Sequence, residues 1–380
     1  MTSYSAHALM SYSKIRIKPH LRHNTFSFIK DKQKKKKTSR TVESEAMATT
    51  FPCTSIRHSL PNPTHKMTKT PLAVLGKSPL PPRLKEGQTR HFHRLPSGLA
   101  MEAIVQKSPN SDSSLKPPLV FVHGSFHAAW CWAEHWLPFF SGEGFDCHAI
   151  SLLGQGESDV PAGANAAGSL EKEVRSPPVL FGHSFGGLIV QSYISRMSGQ
   201  QMFRPSPSSG SMFTHATLSG AVLICSAPPS GNSGLVWRYL MTKPIAAIKV
   251  TLSLAAKAFA NSLPLCKETF FSATMDDDLV QRYQELMKNS SRIPLFDLRK
   301  LNASLPVASI PRDSIEILVM GASDDFIVDA EGLRETAEFY GVQPVCVEGV
   351  AHDMMLDCSW EKGAIVILQW LKALNKEHLP

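Results

Sequence analysis

Short apolar runs alternate with longer helical stretches from about residue 99 to the end of the chain. Residues 119–122, 177–181 and 315–320 are short and mostly apolar, as expected for strands that are covered on both faces. A helical pattern over residues 185–197 follows the second of these runs. Strands that alternate with helices favour an α/β fold with a mostly parallel, doubly wound sheet.

Further elements continue this rhythm until a long insertion interrupts it. Strands are predicted at residues 99–106, 145–150, 218–226 and 345–347, and helices at residues 331–340 and 360–374. Between residues 228 and about 311, prolines separate helical stretches at residues 235–241, 245–260 and 276–288. We interpret this region as a helical insertion in the α/β domain.

The N-terminal segment, residues 1–85, differs in composition from the rest of the chain. It is rich in Ser, Thr, Pro, Lys and His, lacks a sustained apolar period, and is predicted to be disordered. The chain carries a net charge of +8 and this segment +14, so residues 86–380 sum to −6. The folded domain, residues 86–380, is therefore mildly acidic, which argues against nucleic acid as its main partner.

Residues 47–85 have the composition of an organelle transit peptide. They contain no Asp or Glu and many hydroxyl and basic residues, and they begin with a second candidate start at Met47. This composition resembles plant plastid targeting segments. We therefore expect import into the chloroplast, with the stroma as the destination, and keep a cytoplasmic location as the alternative.

The seven cysteines indicate a reducing compartment. Their number is odd and no C-x-x-C pair occurs, so we expect free thiols and no disulfide framework. No apolar run of about 18 residues lacks a charge, so no membrane-spanning helix is predicted.

The pattern G-x-S-x-G occurs at Gly182-His183-Ser184-Phe185-Gly186, between a predicted strand and a predicted helix. In this context the glycines allow a sharp turn that presents the Ser184 hydroxyl as a nucleophile. The backbone N–H of Phe185 would face a developing oxyanion. A serine hydroxyl is a poor nucleophile at neutral pH, so a base and an orienting carboxylate are needed from elsewhere in the chain.

Five motifs between about residues 90 and 374 resemble the α/β-hydrolase family and occur in its order. They are HGS at 123–125, LLGQGES at 152–158, GHSFGG at 182–187, GASDDFIVD at 321–329 and GVAHDMMLD at 349–357. The resemblance implies an α/β-hydrolase fold in which the insertion at residues 228–311 caps the site. It also implies that the residue after His-Gly, Ser125, donates the second backbone N–H to the oxyanion.

The same resemblance implies the base and the acid. His352 lies in the loop after the last predicted strand, where the family carries its histidine. Asp325 matches the family's pattern of an Asp followed by apolar residues, whereas counting three residues from the preceding glycine selects Asp324. We take Asp325 and keep Asp324 as the alternative. Asp353 and Asp357 are expected to face solvent or to tune the loop.

The stretch HGSFHAAWCW resembles plant methyl esterases and hydroxynitrile lyases of the same superfamily. Within it, His123 and His127 are expected to make structural hydrogen bonds. Trp132 and Trp136 are expected to pack in the core.

Two features depart from the family pattern. Ser151 stands where an Asp is usual. Only the 18 residues 159–176 join the turn at residues 152–158 to the strand before Ser184. This length leaves about two helical turns for the crossover helix.

These residues imply a serine hydrolase that cleaves an ester or related acyl bond of a small to medium apolar substrate through an acyl-enzyme on Ser184. No metal or organic cofactor is expected, and the expected partner is the small-molecule acyl substrate. One alternative is a small-molecule receptor that keeps the triad as a binding module. Another is a hydroxynitrile-lyase-type lyase that uses the serine and histidine for proton transfer. An aspartate nucleophile is disfavoured because the elbow carries Ser184.

We predict that residues 47–90, fused to a fluorescent protein, carry it into chloroplasts, because an acid-free, hydroxyl-rich segment is typical of such leaders. Microscopy of plant cells that express the fusion measures this. Fluorescence confined to the cytosol would refute the targeting.

Overall fold

The computed structural model describes residues 82–109, 116–161, 177–201, 218–291, 293, 305–311 and 314–377. The predicted disordered and targeting segment up to residue 81 lies outside the described residues. So do residues 162–176 of the shortened crossover and residues 294–304 of the insertion. The described residues belong to the α/β domain and its helical insertion.

Eight strands of the described residues form one sheet, in the order β1-β2-β4-β3-β5-β6-β7-β8. They are β1 (Gln88–Arg94), β2 (Ala100–Gln106), β3 (Leu119–Val122), β4 (Cys147–Ile150), β5 (Val179–His183), β6 (Gly220–Ile224), β7 (Ile317–Ala322) and β8 (Val345–Val347). The pairs β1–β2 and β2–β4 are antiparallel. The other pairs are parallel, so the predicted mostly parallel sheet is confirmed.

Strand β1 is absent from the sequence-based expectations. Its residues, QTRHFHR, are largely polar and mostly exposed, so no apolar run marks it. It lies at the edge of the sheet, where Gln88 pairs with Gln106 and Arg94 pairs with Ala100 on β2. Hydrophobic patterning does not reveal a strand whose side chains bury so little apolar surface.

Helices cover both faces of the sheet, and four of the described helices lie in the insertion between β6 and β7. They are α1 (Trp130–Ala133), α2 (Trp136–Gly142), α3 (Phe185–Gln201), α4 (Asn232–Thr242), α5 (Pro244–Ala255), α6 (Leu263–Phe270), α7 (Asp277–Ser290), α8 (Ala330–Tyr340) and α9 (Trp360–Glu377). Within the described residues, no helix combines the length and the apolar character that a membrane span requires.

The predicted helix at residues 245–260 is wrong in its last five residues. Helix α5 ends at Ala255, and a separate 3-10 turn follows at Ala258–Asn261. Between them, Lys257 has a φ of 52°, which lies in the left-handed region and cannot continue a right-handed helix. The apolar composition of this stretch does not show the break.

Alternate residues of the central strands point to opposite faces, and each face has its own core. Phe121 of β3 packs in a cluster with residues of α1, α2 and α9, whereas Val120 packs with residues of α3 and α8. Trp132 and Trp136 are fully buried in the first cluster, as predicted. Full burial of a large apolar side chain contributes about 2–3 kcal/mol, so these residues hold α1 and α2 on the sheet.

The turn after β4 contains Ser151 in place of the usual Asp, and Glu102 on β2 supplies the carboxylate. Glu102 Oε2 accepts hydrogen bonds from the Ser151 hydroxyl at 2.7 Å and from the Glu157 N–H at 2.9 Å. Its Oε1 accepts one from Arg90 Nε at 2.7 Å. The Ser151 hydroxyl also accepts a bond from the Ala129 N–H at 2.9 Å. One buried carboxylate therefore holds this turn, which in turn contacts the loop before α1.

Candidate active site

Ser184 occupies a strained turn between β5 and α3. Strand β5 ends at His183, helix α3 begins at Phe185, and Ser184 has a φ of 53°. A positive φ is uncommon for a residue with a side chain, and surrounding contacts must hold it. The Ser184 N–H donates to the Ile224 carbonyl at 3.0 Å, and the Ser184 carbonyl accepts from the Ala227 N–H at 3.1 Å. The end of β6 therefore fixes the turn.

The glycines that flank Ser184 have no room for a side chain. A Cβ at Gly182 would lie 2.6 Å from the Cα of Gly187. A Cβ at Gly186 would lie 2.5 Å from the carbonyl oxygen of His123. Both contacts are with backbone atoms, which cannot move aside as a flexible side chain can. The sharp turn therefore depends on glycine at both positions.

The loop after β3 passes directly against the candidate nucleophile. A Cβ at Gly124 would lie 2.9 Å from the Cβ of Ser184. Ser125 follows and is half-buried. Phe185 is the first residue of α3, and the N–H groups at a helix N-terminus favour negative charge. The structure thus brings both predicted oxyanion residues beside Ser184, and their role as donors stays a prediction.

His123 makes structural hydrogen bonds, as expected. It is fully buried, its Nδ1 lies 2.7 Å from the Gly124 carbonyl, and its Nε2 accepts from the Leu152 N–H at 3.0 Å. Burial lowers the pKa of His123 to about 3, so the ring is neutral and joins the loop after β3 to the turn after β4.

Asp325, in the loop after β7, is the acid that reaches His352. His352 Nδ1 lies 2.9 Å from both Asp325 carboxylate oxygens. Asp325 Oδ1 also accepts hydrogen bonds from the N–H groups of Ile327 at 2.8 Å and Val328 at 2.9 Å. The alternative acid, Asp324, is exposed and accepts a hydrogen bond from the Ser323 hydroxyl instead. The geometry therefore favours Asp325 over Asp324.

His352 is held beside the serine turn through His183. The His183 Nε2 donates to the backbone carbonyl of His352 at 3.0 Å, and the two ring centroids lie 4.8 Å apart. Burial and the nearby His352 lower the pKa of His183 to about 3, so its ring is neutral. The residue before Ser184 and the predicted base are thus joined by a direct hydrogen bond.

The pKa of His352 results from two opposed effects. Burial would lower this pKa, but the charge and hydrogen bond of Asp325, with the charge of Asp353, raise it above its ordinary value. The side chain is almost completely buried. The proton affinity of His352 is therefore set by its carboxylate partner.

Residues 119–362 match the alpha/beta hydrolase family. The chain belongs to this family. Methylesterase 1 of Arabidopsis thaliana is 36% identical to it over 89 residues, which cover 20% of this chain and 34% of that protein. The match therefore spans about a third of the length of that relative.

Two solved structures of bacterial and plant origin share the α/β-hydrolase fold with this chain. An esterase from Exiguobacterium antarcticum is 18% identical, with a TM-score of 0.54 over 75% of this chain and 100% of that one. An epoxide hydrolase from Vigna radiata is 14% identical, with a TM-score of 0.51 over 76% of this chain and 98% of that one. At these identities the likeness shows the fold alone.

Two acids that follow His352, namely Asp353 and Asp357, are buried. The sequence predicts that they face solvent or tune the loop, and the first of these alternatives is wrong. Asp357 accepts hydrogen bonds from the Ser272 N–H at 2.8 Å and hydroxyl at 3.0 Å. These bonds fasten the insertion to the loop after β8, residues 348–359, which contains His352 and is called the base loop below. Asp353 Oδ2 lies 3.0 Å from His127 Nε2. Both side chains are fully buried. Local sequence does not predict this, because their partners lie far away along the chain.

Asp353 and His127 connect the base loop to the loop after β3, residues 123–129, which contains Ser125 and is called the oxyanion loop below. His127 Nδ1 lies 2.8 Å from the Ser125 carbonyl, while its Nε2 faces Asp353. Both ring nitrogens therefore meet oxygen atoms, so the ring is held at both ends. Burial would raise the pKa of Asp353, but the charge and hydrogen bond of His127 hold it below its ordinary value. The pair thus acts as a buried tie between the two loops.

Among the residues that the structure describes, two groups of three could offer ligands to a metal ion. They are His183, His352 and Asp353, and Cys225, Asp325 and His352, with the ligand atoms of each group within 4.8 Å of one another. Both groups include His352, whose Nδ1 already faces the Asp325 carboxylate at 2.9 Å. A metal ion would have to replace the hydrogen bonds that hold the base, so we assign these atoms to proton sharing.

A cavity lies beside the acid and does not extend to the serine. Its lining includes Cys225, Asp325 and Leu333, but neither Ser184 nor His352. Burial, and then the Asp325 charge, raise the pKa of the Cys225 thiol. The protonated thiol therefore contributes to the support of Asp325, and the cavity is not assigned to substrate.

We predict that Asp353→Ala lowers the free energy of unfolding by about 3–5 kcal/mol, because it leaves the His127 ring buried without its acceptor. Urea unfolding of the full chain measures this. The lowered pKa of Asp353 means that its contribution is complete above its unfolded pKa and is lost as pH falls through the folded one. The difference from the wild type should therefore persist from pH 7 to pH 5 and shrink only below about pH 4.

The exposed Asp324→Ala variant is the control for this measurement, and it should unfold within about 0.5 kcal/mol of the wild type. Equal stability of the two variants would contradict the buried tie.

Proposed function

We propose that this protein is a serine hydrolase that cleaves an ester, or a related acyl bond, through an acyl-enzyme on Ser184. The observation that carries the proposal is the buried His352–Asp325 pair, held by His183 against the turn that contains Ser184. A serine, a histidine and a carboxylate in this arrangement are the parts of a nucleophilic triad.

The hydrogen bonds define the protonation state that catalysis needs. His352 directs Nδ1 at the acceptor oxygens of Asp325, so the proton lies on Nδ1 and Nε2 is left to take the proton of Ser184. Ser184 then attacks the carbonyl carbon, and the imidazolium is stabilised by Asp325. His352 returns the proton to the leaving group, and a water molecule activated by the same ring releases the acyl group.

The developing oxyanion would be stabilised by the N–H groups of Ser125 and Phe185. Loss of one such donor typically costs about 3 kcal/mol in the barrier. The His127 tie to the Ser125 carbonyl, at 2.8 Å, supports the position of this loop. Each of these steps uses groups of this chain and water, so no cofactor is invoked.

Aromatic side chains around the site support an apolar substrate. Phe126, next to Ser125, packs against Phe259 of the insertion with ring centroids 4.9 Å apart. Phe270 lies 5.2 Å from Phe259 and 6.5 Å from the His352 ring. Both oxyanion loop and base are therefore bordered by apolar rings.

The similarity to Methylesterase 1 of Arabidopsis thaliana further supports a carboxylic ester as the substrate. Because that similarity covers only part of each chain, it supports the ester bond rather than a particular acid.

We predict that an active-site-directed fluorophosphonate labels the full chain and that Ser184→Ala abolishes the labelling, because the reagent captures only an activated serine. Mass spectrometry of the labelled peptide identifies the residue. The exposed Ser323→Ala variant is the control and should label normally. Label that survives Ser184→Ala would show that the nucleophile is wrong.

A panel of p-nitrophenyl esters, assayed with the same variants, separates hydrolysis from the two alternatives. Continued turnover after a burst of p-nitrophenol, with a burst amplitude equal to the concentration of enzyme that the fluorophosphonate labels, supports an acyl-enzyme. A receptor would show a single turnover, and a lyase would form no acyl intermediate.

We predict that Asp325→Asn lowers kcat by roughly 10⁴-fold, because an amide that donates to Nδ1 leaves the proton on Nε2. The kcat of Asp324→Asn should remain close to that of the wild type. A large loss of kcat in Asp324→Asn but not in Asp325→Asn would show that Asp324 is the catalytic acid.

The pH profile tests the same pair of side chains. Because His352 works only when neutral and its pKa is raised, kcat/KM of the wild type should fall with decreasing pH along a limb above about pH 6.5. In Asp325→Asn, burial dominates and the limb should move to lower pH. An unmoved limb would show that Asp325 does not set this pKa.

A further inference from the structure

Helices α4 and α5 expose a set of large apolar side chains that no described residue covers. Trp237 is 65% exposed, Met241 67% and Ile245 74%. The complete set, called the α4–α5 face below, consists of Val236, Trp237, Leu240, Met241, Ile245, Ile248 and Leu252. On α5 its members follow the spacing i, i+3, i+7, which places them on one side of the helix. Apolar patches of this kind mark interaction sites on soluble domains.

The opposite sides of the two helices are already used for packing. Leu235 and Tyr239 of α4 and Ala247 of α5 form a buried cluster with Val328, three residues after Asp325. Arg238 also forms an ion pair with Asp329 at 2.8 Å. The helices are thus fixed with their inner side on the loop after β7, residues 323–329, which contains Asp325 and is called the acid loop below. Because of this packing they cannot rotate to bury the α4–α5 face.

The charged residues of the segment that contains this face are all positive. Residues 232–267 contain Arg238, Lys243, Lys249, Lys257 and Lys267 but no Asp or Glu. Three of these cations form ion pairs with acids outside this segment. Arg238 pairs with Asp329, Lys249 with Glu268 and Lys267 with Asp277. Lys243, between the helices, and Lys257, after α5, are exposed. They border the apolar face at either end of α5.

We propose that the α4–α5 face binds the surface of an anionic lipid bilayer. Trp, Met, Leu and Ile side chains would enter the interfacial region, and Lys243 and Lys257 would lie at the level of the anionic headgroups. The proposal is independent of the proposed function, because binding requires neither Ser184 nor His352. It places a lipid surface on the side of the domain that carries the acid loop.

A second copy of the chain fits this face less well. In a two-fold dimer the same patch meets itself, so Lys243 and Lys257 of both copies would approach without a single acid in residues 232–267 to compensate them. Like charges across an interface are unfavourable. An anionic lipid surface satisfies the same lysines.

The test must distinguish this face from the basic segment 1–85, which carries +14 and would itself attract anionic vesicles. That segment contains no Trp. Quenching of tryptophan fluorescence by brominated phosphatidylcholine, mixed with phosphatidylglycerol in vesicles, therefore reports contact of the folded domain with the bilayer. We expect quenching of the full chain that is lost in Trp237→Phe. Trp130, Trp132 and Trp136 are buried, and the half-buried Trp360 and Trp370 lie on α9, where they pack against the core cluster and not on the α4–α5 face.

The decisive comparison uses two double variants that both keep Trp237. Ile245→Gln with Ile248→Gln removes apolar surface from the face, and half-maximal quenching should require roughly tenfold more lipid or more. Leu279→Gln with Ile365→Gln, on α7 and α9, removes exposed apolar surface elsewhere and should behave as the wild type. Lys243→Glu should also weaken quenching, and vesicles without phosphatidylglycerol should quench weakly.

Three results would overturn the proposal. Quenching that is absent from the wild type, or that persists in Trp237→Phe, would show that the face does not meet lipid. Equal quenching of the two double variants would assign the contact to another surface. The third result combines two observations: the wild type is not quenched by lipid, and it forms a dimer in sedimentation equilibrium that dissociates in Ile245→Gln with Ile248→Gln. That result would assign the face to a second copy of the chain.

Discussion

The hydrogen bond from the His183 ring to the backbone carbonyl of His352 joins the two loops on which the candidate site depends. His183 directly precedes Ser184, so this bond fixes the base loop against the strained turn. The carboxyl ends of parallel strands meet at one edge of a sheet, which brings both loops to the same place. The topology therefore supplies proximity, and a buried, neutral imidazole supplies the final alignment.

Two buried carboxylates then surround the base in different ways. Asp325 faces His352 directly, whereas Asp353 pairs with His127 and thereby reaches the Ser125 carbonyl. A buried carboxylate without a partner is strongly unfavourable, so each acid restricts its partners to one arrangement. His352, Asp325 and the loop that contains Ser125 are consequently held by one continuous set of polar contacts rather than by three separate ones.

The insertion adds a second constraint, because α4 and α5 are apolar on two sides. Their inner side packs on the acid loop through Val328, and their outer side, the α4–α5 face, is exposed. A helix that is apolar all round is ordinarily buried. The same pair of helices therefore supports the loop that contains Asp325 and exposes most of the large apolar side chains that are exposed among the described residues.

The sequence by itself determined the α/β fold, the order of the motifs and the serine turn, because each rests on short patterns of apolar residues and glycines. It missed the polar edge strand β1, and it did not decide whether Asp353 and Asp357 face solvent or tune the loop. It also left Asp324 beside Asp325 as an alternative. Only the tertiary structure decided these points, since burial and pairing depend on distant residues: His127 and Asp353 meet across 226 positions of the chain.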